Sequence, residues 1–208
     1  MIKLLITLLI FAFMPLGSYA LEKTPSSEEI AIYKNDIERV EKYLNGIDTL
    51  IAAFSQVDSA GNATEGTFYL DRPGKLRWQY YPPSPLLIIA KGSMLTYYDK
   101  ELDQVSHIPL EDSISGFLTR DNIRFISKDI EIISYEKTDD EIAITISQKG
   151  ARDNGELTLI FTNKKIELKK MQILDAIGKT TDIYFSTLIY GKPIDRDLFI
   201  FNKDKEKR

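Results

Sequence analysis

Hydrophobic and polar positions alternate most regularly between Gly66 and Tyr80, on either side of Pro73-Gly74. Successive side chains of a β-strand point to opposite faces, so this alternation predicts two strands joined at the turn. One face of the predicted hairpin holds Phe68, Leu70, Arg72, Leu76, Trp78 and Tyr80. The other face holds Tyr69, Asp71, Lys75, Arg77 and Gln79. The second strand is therefore expected to bury its apolar face and to leave its polar face in water.

Arg72 breaks this pattern, because it has the parity of the apolar face whereas Arg77 has the parity of the polar face. An arginine beside a turn can lay its aliphatic stem on apolar neighbours and keep its guanidinium in solvent. The alternative is a cation at the mouth of an apolar hollow, hydrogen-bonded to a part of the protein that moves. The alternation is compatible with both interpretations.

A helix is predicted before the hairpin, because apolar residues recur at spacings of three and four from Ile30 to Ile47. Ser26 and Glu29 have the spacing of a capping box at its start, and Asn45-Gly46 is its expected end. Leu44 belongs to the apolar stripe of this helix. Such a stripe is typical of plain core, or of a helix that lies across a cavity.

Most of the remaining chain consists of short strand-like segments at hairpin spacing, which predicts an antiparallel sheet of about ten or eleven strands. The parity of the apolar positions shifts between Leu168 and Met171, which predicts a bulge at Lys169-Lys170. The last strand is expected at Leu198–Phe201, and the charged residues 202–208 are expected to form a solvated tail. A sheet with one apolar face must curl around a core or a ligand when few helices cover it.

A helical segment from Ser113 to Arg120 interrupts the predicted strands. Its apolar residues Ile114, Phe117 and Leu118 fall on one side, as in a helix that packs on a sheet. Residues 121–126 are compatible with another short helix. The segment therefore predicts a central helical cover for the concave side of the sheet.

Composition narrows the classes of function. The chain has 208 residues, of which 43% are hydrophobic, as expected for one domain with a substantial core. It has no cysteine and a single histidine, His107, which excludes disulfides, thiolate zinc sites and multi-histidine metal sites. The net charge is −4 without a basic block before the C-terminal end, so a nucleic-acid partner is not expected. We expect neither a metal nor a cofactor.

Residues 1–20 have the organisation of a secretory signal peptide. Lys3 precedes an apolar run from Leu4 to Met14. Ser18 and Ala20 are the small residues at positions −3 and −1 of a cleavage site after Ala20. The run is too short for an ordinary transmembrane helix, and an uncleaved anchor is the alternative. We therefore expect a single mature domain at 21–208. An exported protein without disulfides suits a Gram-negative periplasm.

Several motifs of the mature chain resemble the periplasmic outer-membrane lipoprotein carriers of the LolA family in order and spacing. They cover it nearly end to end: Ala53-Phe54-Ser55-Gln56, Gly66-x-Phe68-x-Leu70-x-Arg72-Pro73-Gly74-x-Leu76-Arg77-Trp78, Lys91-Gly92, Tyr98-Asp99, Gln104-Val105, Asp175-x-x-Gly178-Lys179-Thr180-Thr181 and Pro193-Ile194-Asp195-x-x-Leu198-Phe199-x-Phe201. Two features depart from the family: Tyr190-Gly191 replaces the usual Asn before the Pro-Ile-Asp segment, and the chain ends in a lysine-rich tail. Both departures leave the outer-membrane acceptor open.

The resemblance implies an unclosed antiparallel half-barrel whose apolar cavity is covered by an N-terminal helix and a central helical lid. It implies a monomeric carrier that takes acylated lipoproteins from an inner-membrane ABC-type releasing complex to the outer membrane. Arg72 matches the arginine that closes the lid by bonding to its backbone carbonyls. Leu76 and Trp78 match cavity-wall positions, and Leu44 matches a cavity position on the first helix. With their face neighbours Phe68, Leu70 and Tyr80, these residues form the expected acyl-binding wall.

Three alternatives belong to other classes of function. An enzyme is not expected, because hydrolysis needs a nucleophile with a base or two placed carboxylates. Ser106 and His107 are adjacent in a predicted strand and face opposite ways, so they cannot act as such a pair. A lipid-binding or lipoprotein-binding sensor on the same fold is the second alternative, although the similar regulators carry a second domain. A packed module without a cavity is the third.

Cleavage after Ala20 predicts that Leu21 is the first residue of the mature protein. N-terminal sequencing of the protein from a periplasmic fraction measures this directly. As a control, Ala20→Glu should block cleavage and leave the precursor in the membrane fraction, because the peptidase requires a small residue there. An intact Met1 on wild-type protein in the membrane fraction would contradict the prediction.

Overall fold

Residues 25–110 and 114–207 are described by the computed structural model of the chain. The signal peptide expected at 1–20 lies outside these described residues. The strands are β1 Thr49–Asp58, β2 Ala63–Asp71, β3 Lys75–Tyr80, β4 Leu86–Lys91, β5 Met94–Asp99, β6 Gln104–Pro109, β7 Ile130–Lys137, β8 Glu141–Gln148, β9 Gly155–Thr162, β10 Leu168–Asp175 and β11 Thr180–Tyr190. The helices are α1 Ser27–Asn45, α2 Lys203–Glu206, and the 3-10 helices Ile114–Thr119, Arg152–Asn154 and Arg196–Phe199.

The strands form one 11-stranded antiparallel sheet in the order β6-β5-β4-β3-β2-β1-β11-β10-β9-β8-β7. The chain runs outward from β1 to the edge strand β6, and it returns from the other edge, β7, to β11 beside β1. The edge strands β6 and β7 are consecutive in the chain but do not pair, so the sheet is not closed. The segment between them crosses from one edge to the other. This confirms the expected mainly β fold, an unclosed antiparallel sheet with few helices.

Helix α1 begins and ends where the sequence predicts. The Glu29 amide donates to Ser26 Oγ at 3.2 Å, and the Ser26 amide donates to the Glu29 carboxylate at 2.6 Å, which completes the capping box. The helix ends at Asn45, before Gly46. Its stripe from Tyr33 to Leu44 is buried in the main hydrophobic core together with the inner face of the sheet. The helix therefore covers part of the concave side.

A buried carboxylate, Asp36, fastens α1 to β7. It accepts hydrogen bonds from the Tyr135 hydroxyl at 2.8 Å, Lys137 Nζ at 2.7 Å and Arg39 Nη1 at 2.7 Å. Burial opposes the ionisation of Asp36, but these donors outweigh burial and lower its pKa. The stabilisation that follows is present above the ordinary pKa of an aspartate and is lost as pH falls through the lowered one.

The aromatic residues of the predicted apolar face pack together in the middle of the concave side. The Trp78 ring centroid lies 4.3 Å from that of Phe68 and 4.9 Å from that of Phe54. Gly66 provides the space for this packing. A β-carbon at this position would lie 2.6 Å from the Phe54 ring and 2.2 Å from the Gln79 carbonyl oxygen. A glycine is thus required here, because the Phe54 ring and the Gln79 backbone approach this position more closely than a β-carbon allows.

The outer face of β3 is covered, which corrects the expectation of a solvent-facing Arg77 and a solvated tail. Arg77 is 4% exposed and donates to both carboxylate oxygens of Glu206, at 3.0 and 2.9 Å, and to the Leu198 carbonyl at 3.0 Å. Lys203 and Lys207 of the tail each lie 2.8 Å from the Asp103 carboxylate. The expectation was wrong because the covering residues come from a distant part of the chain, which local alternation does not register.

The expected last strand and the expected second short helix are wrong, whereas the expected bulge is confirmed. The predicted strand Leu198–Phe201 is replaced by the 3-10 helix Arg196–Phe199, whose Phe199 is buried against the outer side of the sheet. Residues 121–126 form bends and not a helix, because side chains of α1 bind their backbone amides. The predicted bulge is confirmed, since the pairing of β9 with β10 shifts register between Leu168 and Lys170.

Gly66→Ala should destabilise the protein, because the added methyl meets the Phe54 ring and the Gln79 backbone oxygen. Overpacking of a core costs about 1–3 kcal/mol, which lowers the urea concentration at the unfolding midpoint. The control is Gly46→Ala, whose β-carbon would lie 3.4 Å from its nearest neighbours, with a backbone φ of −80° that alanine adopts freely. Its midpoint should stay unchanged or rise. Equal midpoints for wild type and Gly66→Ala would show that the close approach carries no strain.

Candidate functional site

An apolar cavity of about 240 Å³ lies on the concave side of the sheet. Five residues of the predicted site line it: Phe68, Leu76, Trp78, Tyr80 and Leu118. The rest of the wall consists of Gln56, Leu86, Ile88, Leu95, Tyr97, Met171, Ile173, Thr181 and Ile183. Its surface is therefore mainly aliphatic and aromatic, and strands from both halves of the chain supply it.

The other predicted residues lie around the cavity without lining it. Leu44, Leu70 and Phe117 are buried in the main core, at 2%, 3% and 1% exposure. Ile114 is partly buried and packs against the same core. Leu44 and Leu70 are thus part of the core in this closed arrangement and not of the cavity surface.

The segment that crosses from one edge of the sheet to the other covers the cavity; we call residues 114–125 the lid. Its 3-10 helix places Leu118 against the cavity and buries Phe117 in the core. The Phe117 and Phe125 ring centroids lie 5.3 Å apart, so the 3-10 helix of the lid packs on the lid's C-terminal end. The central helical segment is therefore a cover, as the sequence predicts.

Arg72 donates hydrogen bonds to two backbone carbonyl groups of the lid. Its Nε lies 2.8 Å from the Arg120 oxygen, and its Nη2 lies 3.1 Å from the Asp121 oxygen. The neighbouring turn adds a third hydrogen bond to the lid, because the Gly74 amide donates to the Thr119 carbonyl at 2.8 Å. The end of β2 thus holds the lid where its 3-10 helix ends.

The same guanidinium reaches the C-terminal end of α1. Its Nη1 donates to the Leu44 carbonyl and, at 3.3 Å, to the Ile47 carbonyl, while Nη2 donates to Asn45 Oδ1 at 3.2 Å. The last carbonyls of a helix lack intrahelical donors and carry partial negative charge, so they are suitable acceptors. Of the two interpretations of Arg72, the structure matches the hydrogen-bonded cation and not the solvent-exposed one.

Most acceptors of the Arg72 guanidinium are backbone carbonyl dipoles. No carboxylate within residues 25–110 and 114–207 forms an ion pair with it. Burial lowers the pKa of Arg72, while the charges of Asp121 and Asp48 oppose that effect. Arginine nevertheless stays protonated in proteins, so its hydrogen bonds to the lid persist across the physiological pH range.

Two residues that sequence reasoning did not assign to the site, Asn45 and Glu41, hold the rest of the lid. Asn45 accepts from the Ile123 amide at 2.8 Å and donates to the Ile123 carbonyl at 3.0 Å. Glu41 accepts from the Phe125 amide at 2.9 Å and from Arg124 Nη1 at 2.7 Å. Glu41 is 7% exposed although it is charged. A glutamate four residues before Asn45 on the buried stripe of α1 was the signal that could have identified them.

Polar groups occur at one end of the cavity. The Tyr80 hydroxyl donates to Gln56 Oε1 at 2.8 Å, and burial raises the pKa of Tyr80, so the phenol stays protonated. Thr181 lies at the same end, because it pairs with Asp58, two residues beyond Gln56 on β1. Tyr97 also lines the cavity and is near enough to Tyr80 to contribute to raising the pKa of that phenol. Burial, aided by the charge of Asp99, likewise raises the pKa of Tyr97. These groups are neutral at physiological pH, so they offer hydrogen bonds but no charge.

The described residues contain no group of three or more His, Cys, Asp or Glu residues arranged to hold a metal ion. None of the helices in that part of the chain is long and apolar enough to cross a bilayer. What the site offers is an apolar cavity, a lid fastened by polar contacts, and one polar end.

Comparison with known proteins identifies relatives of the whole domain. The family described as "Outer membrane lipoprotein carrier protein LolA" matches residues 45–202. An uncharacterized protein of Rickettsia prowazekii (strain Madrid E) is 30% identical over 199 residues, which cover 95% of this chain and 86% of that protein. The outer-membrane lipoprotein carrier protein of Legionella pneumophila (strain Lens) is 29% identical over 179 residues, 81% of this chain and 86% of that one.

A solved structure supports the fold alone. It is that of an uncharacterized conserved protein from Thermus thermophilus, with a TM-score of 0.50 at 13% sequence identity, covering 83% of this chain and 96% of the other. The family match, in contrast, is one of sequence, and it runs from the end of α1 through all strands of the sheet and includes Arg72. This chain therefore belongs to the LolA family of outer membrane lipoprotein carrier proteins.

Proposed function

We propose that this protein is a periplasmic carrier that shields the acyl chains of lipoproteins in its cavity and takes them from the inner membrane to the outer membrane. One observation carries the proposal: an apolar cavity lies under a lid that Arg72 fastens through backbone carbonyls alone. Acyl chains cannot cross an aqueous compartment unshielded, since each CH2 hidden from water is worth about 0.8 kcal/mol. The site binds and releases, and no catalytic step is proposed.

The size of the cavity implies that cargo enlarges it. Its volume of about 240 Å³ is smaller than most small-molecule sites, which hold roughly 300–1,000 Å³. Several acyl chains thus require the lid to move away from the sheet. Leu118 would then leave its place in the wall, and apolar surface now packed against the lid would become available to cargo.

The Arg72 hydrogen bonds give the lid a threshold for opening. They exist only while the lid is closed, so cargo has to displace them, and they re-form when cargo leaves. Hydrogen bonds to a charged group contribute about 1.5–3 kcal/mol each, so they weaken cargo binding and favour release. A carrier needs this balance, because cargo held too tightly is not delivered.

The proposed partners follow from this role. Cargo is supplied by an inner-membrane ABC-type lipoprotein-releasing complex and delivered to an acceptor at the outer membrane, and the carrier acts as a monomer. Purification of the protein from a periplasmic extract, followed by mass spectrometry of co-purified molecules, tests the proposal. Acylated lipoproteins should be recovered with it, and their absence from a preparation of folded protein would contradict the proposal.

Arg72→Leu should bind cargo at least about tenfold more tightly and deliver it more slowly. The substitution removes the hydrogen bonds to Arg120 and Asp121 that cargo must displace, and losing one such charge-assisted bond corresponds to about tenfold or more in affinity. Retention of an acylated lipoprotein and its transfer to isolated outer membranes are measured together. Cargo should accumulate on the variant.

Two variants control for the Arg72 experiment. Arg72→Lys keeps the charge but loses the planar fork, so its behaviour should be intermediate. Lys179→Leu removes a cation from the exposed turn between β10 and β11 and should behave as wild type. Unchanged retention and transfer by Arg72→Leu would show that the arginine is not a latch, that is, that its hydrogen bonds do not hold the lid against cargo.

Ile88→Glu should abolish cargo binding, because it places a carboxylate in the apolar cavity wall. A charge without a partner is strongly disfavoured there and draws in water. Ile88 is only partly buried, so the fold should survive, which circular dichroism checks. Ile177→Glu, at a turn residue 75% exposed, is the matched control and should retain binding. Normal binding by a folded Ile88→Glu protein would place the acyl chains elsewhere.

A further inference from the structure

The polar end of the cavity lies opposite the Arg72 latch. In the antiparallel register, Gln56 pairs with Thr64 at the start of β2, whereas Arg72 follows the last residue of β2. The nine residues of β2 span about 30 Å, so the latch and the polar end are separated by nearly the length of a strand. The cavity therefore has a latched end and a distinct polar end.

Gln56 is held in a defined orientation at this end. Its Oε1 accepts the hydrogen bond from the Tyr80 hydroxyl at 2.8 Å, which directs its Nε2 away from that contact. Within the part of the chain that the structure describes, Gln56 Nε2 and the hydroxyls of Tyr97 and Thr181 have no hydrogen-bond partner. All three residues line the cavity. An apolar cavity thus ends in several polar groups whose hydrogen-bonding capacity is free for a ligand.

The linkages that join acyl chains to a lipoprotein contain acceptors for the donors at this end of the cavity. Each chain is joined to its anchor by an ester or amide, whose carbonyl oxygen is a hydrogen-bond acceptor. Acceptors drawn into an apolar site without a donor are costly, so the point where chain meets anchor requires donors. A primary amide supplies two N–H donors, and tyrosine and threonine hydroxyls supply one each.

We infer that Gln56, with Tyr97 and Thr181, binds the carbonyl groups of the ester and amide linkages of the cargo. The inference rests on the proposed function and adds the chemical group that the polar end recognises. Acyl chains then extend from this end along the wall of Phe68, Leu76 and Trp78, toward the latch. Tyr80 is a positioning residue, because it acts by fixing the Gln56 amide.

The test compares two ligands that differ only in the carbonyls. One is a synthetic triacylated cysteine lipopeptide, the acyl ligand. The other is its analogue with ether linkages in place of both esters, the same amide and equal chain lengths, which we call the alkyl ligand. Wild type should bind the acyl ligand about fivefold more tightly than the alkyl ligand, as expected for one hydrogen bond. Gln56→Leu should lose this preference through weaker binding of the acyl ligand, with no weakening for the alkyl ligand.

Two variants separate recognition from packing. Tyr80→Phe keeps the ring but frees the amide, so it should reduce the preference without lowering affinity for the alkyl ligand. Gln104→Leu, at an exposed position on β6, should keep the full preference. Equal weakening of both ligands by Gln56→Leu would overturn the inference, since the residue would then only support the wall.

The outcomes for wild type distinguish this inference from the proposed function. Equal binding of the two ligands by wild type would overturn the carbonyl site and leave the acyl carrier standing. Binding of neither ligand by folded wild type would overturn both.

Discussion

A guanidinium on an apolar surface must find hydrogen-bond acceptors, and this requirement ties the parts of the structure together at Arg72. Its strand parity places it on the concave side of β2. Its partners there are carbonyl groups of the lid, the carbonyl groups of Leu44 and Ile47 around the end of α1, and the Asn45 side chain. Four of these five acceptors are backbone carbonyls, which depend on backbone position and not on which side chains are present. The sheet, the first helix and the crossing segment therefore fit together around one residue, and that junction can open without leaving a carboxylate unpaired.

The topology explains why a lid exists at all. Strands β6 and β7 form opposite edges of an open sheet, yet they are neighbours in sequence, so the chain between them has to pass over the concave side. An apolar surface of this size cannot be left to water. The crossing residues therefore serve as the cover, with Glu41 and Asn45 of α1 holding one part and Arg72 the other.

Local alternation predicted the inner face well, because the orientation of the inner residues of β2 and β3 is set by the parity of two directly paired strands. It failed where distant residues decide. Arg77 has polar parity but is buried by Glu206, which lies far along the chain. Residues 121–126 are compatible with a short helix, yet Asn45 and Glu41 bind the amides of Ile123 and Phe125 in an irregular, bent segment. The signal-peptide assignment lies outside the described residues and stays a prediction.

The position of β1 beside β11 also bears on how the protein folds. These two strands form the middle of the sheet, although they are the first and last strands of the chain. Pairing them closes the longest loop of the fold, which costs more conformational entropy than any neighbouring hairpin. Folding dominated by such distant contacts is slow. Each half of the sheet can form hairpins as it emerges, but the cavity they share cannot be completed before the final strand is available.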